Sequence, residues 1–216
     1  MGTRIFPDRP KAGERLAALL APTEWHRPLV LGLARGGVPV AEPVARRLGA
    51  PLEVAVARKI GAPGHPEFAV GAVTASGPAT YDDRILDKLG LTAADLSEAA
   101  RRERAEAKRR EELYRKDLAP EPRDERDLIL VDDGLATGAT ATAAVRSLRA
   151  ENPRAIVFAA PVCAPAAAEA LLADADDVVC AAAPESFTAV GEWYYDFTQT
   201  TDEDVLAVLS ETRGRP

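Results

Sequence analysis

Apolar residues fall into short runs at 29–33, 52–57, 128–131 and 155–160, each closed by a turn marked by Gly, Pro or charge. Runs of this length without polar alternation predict strands buried on both faces. Apolar residues at helical spacing follow the first run at 38–48 and the third at 139–150. Strand, helix and strand in repetition predict an α/β fold, a parallel Rossmann-like sheet flanked by helices. A fifth strand is expected at 178–181, a helix before it at 165–172, and an N-terminal helix with Pro10 in its first turn, running to about Leu20.

Two segments break the alternation. Residues 53–73 hold two apolar runs around Ile60-Gly61-Ala62-Pro63-Gly64-His65-Pro66, which predicts a hairpin-like excursion or mobile flap. Residues 92–118 predict a long charged helix, capped by Thr92 or Asp95 and packed along a narrow Leu96/Ala100/Ala107/Tyr114 stripe. Its Glu98/Arg102, Glu106/Arg110, Glu111/Arg115 and Glu112/Lys116 pairs sit at four-residue spacing. Each such pair contributes about 0.2 to 0.5 kcal/mol on an exposed face.

Composition narrows the class. With 216 residues, 47% hydrophobic and 28% charged, the chain can bury one core and is not a disordered protein. The balance of 27 basic against 34 acidic residues, net −7, argues against gripping nucleic acid through the overall field. Cys163 and Cys180 have no metal-ligand spacing and no staple framework, and with only two histidines a zinc site lacks ligands. The two cysteines are expected to be inert, in keeping with a reducing cytosol. No run reaches membrane-spanning length, and charges from Arg4 to Arg15 stand where an export signal needs apolar residues. A soluble, cytoplasmic protein is expected. The serines lack a nucleophile-elbow context.

The chemistry concentrates in Asp127-Leu-Ile-Leu-Val-Asp-Asp-Gly-Leu-Ala-Thr-Gly-Ala-Thr140. An apolar strand delivers Asp132 and Asp133 to its carboxyl edge, where open parallel sheets bind ligands. Gly134, Gly138 and Ala139 let the backbone approach an anion, and Thr137 and Thr140 add hydroxyls beside the N–H groups of a helix start. No Gly-Lys-Ser/Thr follows, so a nucleoside-triphosphate loop fails. Two acidic acceptors for vicinal hydroxyls before a monophosphate cradle describe a ribose 5-phosphate site.

At this point the sequence resembles the type I phosphoribosyltransferases, whose signature Val131-Asp132-Asp133-Gly134-Leu135-Ala136-Thr137-Gly138-Ala139-Thr140 matches without a gap. Asp8-Arg9, residues 32–39, Arg58 to Gly64, residues 67–73 and Val190 to Phe197 extend the likeness to a bacterial subgroup whose acceptor is not generally assigned. The resemblance implies a single phosphoribosyltransferase domain over 1–216. It implies a flap at about 60–73, a helical hood insertion at about 82–120 and a C-terminal hood at about 184–200. It also implies phosphoribosyl pyrophosphate as donor, Mg2+ held through the ligand and Asp132 and Asp133, a nucleobase-like nitrogen acceptor, and a homodimer. Asp132, Asp133, Lys59 and Arg35 are then the catalytic set. Residues Gly134, Leu135, Ala136, Thr137, Gly138, Ala139 and Thr140 hold ribose and phosphate, and Arg35, Gly36, Gly37, Arg58 and Lys59 hold pyrophosphate. Glu67, Trp193 and Asp196 are acceptor-pocket candidates. Ala136 stands where 6-oxopurine transferases carry an aspartate, which disfavours hypoxanthine and guanine. The alternative is a non-catalytic regulator that senses phosphoribosyl pyrophosphate and binds RNA through residues 101–115.

Overall fold

The computed structural model describes residues 4–116 and 120–213, without the side chains of Pro66, Glu67 and Arg213. The strands are β1 (Leu29–Leu33), β2 (Leu52–Ala55), β3 (Ala57–Ala62), β4 (His65–Thr74), β5 (Thr80–Tyr81), β6 (Asp127–Val131), β7 (Ala155–Val162) and β8 (Asp177–Ala182). The helices are α1 (Arg9–Leu20), α2 (Gly37–Leu48), α3 (Asp83–Leu89), α4 (Ser97–Arg115), α5 (Ala139–Arg149), α6 (Pro165–Leu171) and α7 (Asp202–Arg213).

A parallel sheet in the order β2-β1-β6-β7-β8 forms the centre. Its central strands β1, β6 and β7 are apolar apart from Asp127 because both of their faces are covered. Val30, Ile129 and Val131 point to one side, against Leu16 and Leu20 of α1, Val44 of α2 and Val205 and Leu209 of α7. Leu29, Leu31, Leu128 and Leu130 point to the other, against Val145 and Leu148 of α5 and Leu171 of α6. The apolar run at 52–57 divides after Ala55, where the chain leaves the parallel sheet and enters a separate antiparallel one in the order β3-β4-β5. Val54 to Ala57 is apolar without a break and carries no sign of that change of sheet. Helix α7 has no counterpart among the expected elements.

The hairpin of β3 and β4 is anchored more firmly than a flap over 60–73 implies. Ile60, Val70 and Val73 are fully buried and form one cluster with Leu86 of α3, Leu96 and Ala100 of α4. Among the described residues of the hairpin, Pro63, Gly64, His65 and Phe68 at the tip are exposed, as is Lys59 on β3. The stripe Leu96, Ala100, Ala107 and Tyr114 is buried, as its spacing requires. Neither Thr92 nor Asp95 caps α4, however. The two bond each other in the preceding turn, through Thr92 N and Oγ1 to Asp95 Oδ2, and Leu96 takes the cap position without a side-chain bond. Among the described residues no helix is long and apolar enough to cross a membrane.

Cys163 and Cys180 are not free thiols. They are joined in a disulfide that links the end of β7 to β8. The parallel pairing of those strands sets Ala160 beside Cys180 and Val162 beside Ala182, which brings the two side chains together from positions 17 apart. Spacing in sequence could not reveal this, because only strand register makes them neighbours.

β6 starts on a buried carboxylate. Asp127, 1% exposed, accepts the His26 main-chain N–H at 2.7 Å and both Nε and Nη2 of Arg154 at 2.7 and 2.6 Å. Burial acts to raise its carboxyl, but the Arg154 and His26 bonds outweigh that and hold it below the usual range. A depressed native value contributes stability that is present above the unfolded value and lost as pH falls through the native one. Asp127→Asn should therefore unfold more readily than the parent in urea at pH 7, with the gap closing as the titration is repeated towards pH 2.

Candidate active site

The carboxyl ends of β1 and β6 open into a cavity of about 930 Å³. Asp132 and Asp133 follow directly on β6, whose parallel pairing with β1 and β7 sets them at the sheet edge. Each spends one carboxylate oxygen on the protein. Asp132 Oδ1 accepts the main-chain N–H of Asp133 at 2.8 Å, and Asp133 Oδ2 accepts Nε of Arg9 at 2.8 Å and pairs with its Nη2 at 2.8 Å. The other oxygens have no protein partner among the described residues. Burial, then the adjacent Asp133, push the Asp132 carboxyl well above the usual range, against the opposing charges of Lys59 and Arg9. Burial raises Asp133 as well, with Arg9 opposing it.

The loop after the aspartates is tied to the sheet at its middle and open beyond. Leu135 donates its N–H to Val162 O at 2.8 Å and accepts from Ala164 N at 2.7 Å. Gly138 adopts φ +79°, a left-handed conformation that glycine takes without steric cost, and it leads straight into α5. Ala136, Thr137, Gly138 and Thr140 line the cavity. The Thr137 and Thr140 hydroxyls and the Ala136, Thr137 and Gly138 main-chain N–H groups have no protein partner among the described residues. Free donors grouped at a helix start suit a bound anion.

The second expected anion loop lies directly across. Arg35 and Gly36 line the cavity, and the Ala34–Arg35 peptide is cis. Its glycines have a more specific reason than general flexibility. A Cβ on Gly36 would overlap Asp133 Oδ2, and one on Gly37 would overlap the Val131 carbonyl oxygen and stand 2.9 Å from Asp132 Cα. The two loops thus touch backbone to backbone, and only glycine permits it. Arg35 Nη1 lies 3.5 Å from Asp202 Oδ1 at the start of α7, and Asp202 also accepts the Tyr114 hydroxyl at 2.6 Å. That hydroxyl bond is the main reason the Asp202 carboxyl sits below its usual range.

Arg58 and Lys59, both on β3, line the same cavity. Arg58 is engaged by Glu103 of α4, its Nε donating to Oε2 at 2.9 Å. Lys59 is exposed and has no ion pair among the described residues, so its ammonium is the cation most available to a ligand. Of the acceptor-pocket candidates, none is a described wall of the cavity. Trp193 turns inward beside Phe6 and Tyr194. Asp196 is exposed and binds Thr198 N and Oγ1 at 2.9 and 2.6 Å. The Glu67 side chain lies outside the described residues.

The remaining wall comes from segments that the sequence marks by resemblance, without naming them as site residues. Asp95 in the turn before α4, and Glu98, Arg102 and Glu103 in its first turns, line the cavity, as do Arg9, Val190 and Phe197. The Arg9 guanidinium lies 3.9 Å from the Phe197 ring centroid, covering one face of that ring. Among the described residues there is no cluster of three or more His, Cys, Asp or Glu able to hold a metal. Two aspartates with one unshared oxygen each fit a magnesium held mostly by ligand phosphates rather than an all-protein cage.

The chain matches the family described as the phosphoribosyl transferase domain over residues 6–198. It is 42% identical over 206 residues to the Mycobacterium tuberculosis protein Rv0571c, named as a candidate phosphoribosyl transferase. That alignment covers 95% of this chain and 46% of the relative, so the chain spans about half of that protein's length. The crystal structure of TT1426 from Thermus thermophilus superposes with a TM-score of 0.80 at 47% identity, covering 95% of this chain and 98% of that one. AQ2163 from Aquifex aeolicus, at 12% identity and a TM-score of 0.50 over 93% of this chain and 86% of that one, shares the fold. With the sheet order, the aspartate-threonine loop and the family match in agreement, this chain belongs to the phosphoribosyl transferase domain family.

Proposed function

We propose that this domain binds phosphoribosyl pyrophosphate with Mg2+ and transfers the phosphoribosyl group to a nitrogen nucleophile, releasing pyrophosphate. The observation that carries the reading is the opposition of two anion loops across one cavity, with the two carboxylates between them. Thr137, Thr140 and the free N–H groups from Ala136 to Gly138 hold the 5-phosphate. The unshared oxygens of Asp132 and Asp133 accept the vicinal hydroxyls, and their charge favours the positive sugar of the transition state. Arg35 and Lys59 donate to the departing pyrophosphate. When bound, the magnesium neutralises charge on the leaving group. The hairpin tip and the start of α4 exclude water as the tip closes.

Acceptors of the hypoxanthine and guanine kind are disfavoured, because Ala136 cannot handle the base's proton. The basic residues of α4 do not favour the RNA-binding alternative, since Arg101, Arg109, Arg110 and Arg115 each pair with a glutamate on the same helix. Calorimetry with phosphoribosyl pyrophosphate and magnesium, followed by a pyrophosphate-release assay over a panel of bases and amines, tests the proposal. Saturable one-site binding with release by at least one acceptor is expected. An absence of binding overturns it.

A further inference from the structure

Two chain segments far apart in sequence close on the second aspartate. Ile5 and Phe6 each donate a main-chain N–H to Trp193 O at 3.0 Å, and Tyr195 and Asp196 return N–H bonds to Phe6 O and Pro7 O at 2.9 Å each. The Phe6 ring lies 5.3 Å from that of Tyr194, which lies 5.0 Å from that of Phe197. From this strap the Tyr194 hydroxyl donates to the Asp133 carbonyl oxygen at 2.7 Å. Arg9 leaves the same strap at the first turn of α1, where the Asp8 side chain caps the helix on Lys11 N.

The Arg9 side chain is only 11% exposed, and its donors are largely spent. Nε and Nη2 go to Asp133 Oδ2, Nη1 goes to Thr198 O at 2.7 Å, and the guanidinium plane rests on Phe197. A guanidinium so occupied cannot serve as a mobile anion clamp. What it does is fix one carboxylate oxygen against the Gly36 backbone and turn the other towards the cavity. A forked pair of this kind sets orientation as well as contact.

We infer that Arg9 is a positioning residue for the sugar end of the site, aiming Asp133 so that a single oxygen meets a ribose hydroxyl. The inference rests on the proposed ribose phosphate reading. It separates two parts of one ligand. Phosphate contacts made by the threonine loop do not pass through Arg9, whereas hydroxyl contacts made by Asp133 do.

Titrating ribose 5-phosphate and inorganic phosphate in parallel tests this. For Arg9→Ala, ribose 5-phosphate should bind about tenfold more weakly, the loss expected for one hydrogen bond to a charged group, while inorganic phosphate binds as to the parent. Arg9→Lys, which cannot make the fork, should fall between. Tyr194→Phe removes only the grip on the Asp133 carbonyl and should give a smaller loss of the same selective kind, so it carries the test if Arg9→Ala fails to fold. Unchanged ribose 5-phosphate affinity in folded Arg9→Ala, or equal losses for both ligands, overturns the inference. A parent protein that binds inorganic phosphate but gains nothing from the ribose overturns the site reading itself, a distinct result.

Discussion

Replacing both Thr137 and Thr140 by alanine is expected to weaken ribose 5-phosphate binding by about two to four orders of magnitude. Hydrogen bonds to a charged group contribute about 1.5–3 kcal/mol each, and every 1.4 kcal/mol is roughly tenfold in affinity. Both hydroxyls lack protein partners among the described residues, so their removal leaves no buried group unpaired and should cost little stability. The helix start of α5 remains in the double variant, but a helix dipole contributes only about 0.3–1 kcal/mol, too little to compensate. Isothermal titration of the variant and parent, with thermal melts of both, checks the claim. Undiminished affinity would remove the loop from the binding site.

The second large effect is on the scaffold. Gly37→Ala places a methyl group inside the Val131 carbonyl and 2.9 Å from Asp132 Cα, and both obstacles are main chain rather than flexible side-chain ends. Overpacking of this sort costs about 1–3 kcal/mol, and with backbone on both sides the upper figure applies. For a chain of this size about 3 kcal/mol corresponds to a fall in melting midpoint of ~6–12 °C. Relaxation can occur only by parting the two loops, so ligand binding should fail even well below that midpoint. Gly36→Ala meets the end of the Asp133 side chain instead of main chain, and the same melt should show a smaller loss. Equal melting of the parent and Gly37→Ala would show that the loops are less tightly apposed than the structure places them.

The strands of the central sheet are legible in the sequence because burial on both faces leaves only apolar residues, as at Leu29–Leu33. The aspartates and threonines are legible because their chemistry lies within nine consecutive residues. Arg9 is marked only as part of the Asp8-Arg9 likeness, and its contact is not legible, since it meets Asp133 across 124 positions. The hairpin reads as a loose flap because Gly61, Pro63, Gly64 and Pro66 dominate its sequence. Its stability comes instead from a distant cluster that includes Leu86 and Leu96. Helix α7 begins on Asp202, Glu203 and Asp204, and its buried residues are few, so its periodicity is faint. The disulfide depends on register, which a linear reading does not contain, and the turn of Trp193 away from the cavity depends on its packing with Phe6.

Helix α4 contributes the wall that faces the cavity from outside the sheet, and its start stands on its own apolar cluster rather than on the central strands. The molecule is therefore divided in its tolerance to change. Glu98 and Arg102 can be exchanged without disturbing any main-chain contact between the two loops, whereas Gly36 and Gly37 cannot. On the proposed reaction, selectivity for the incoming nucleophile can drift or be engineered at the helix while the donor half keeps its shape.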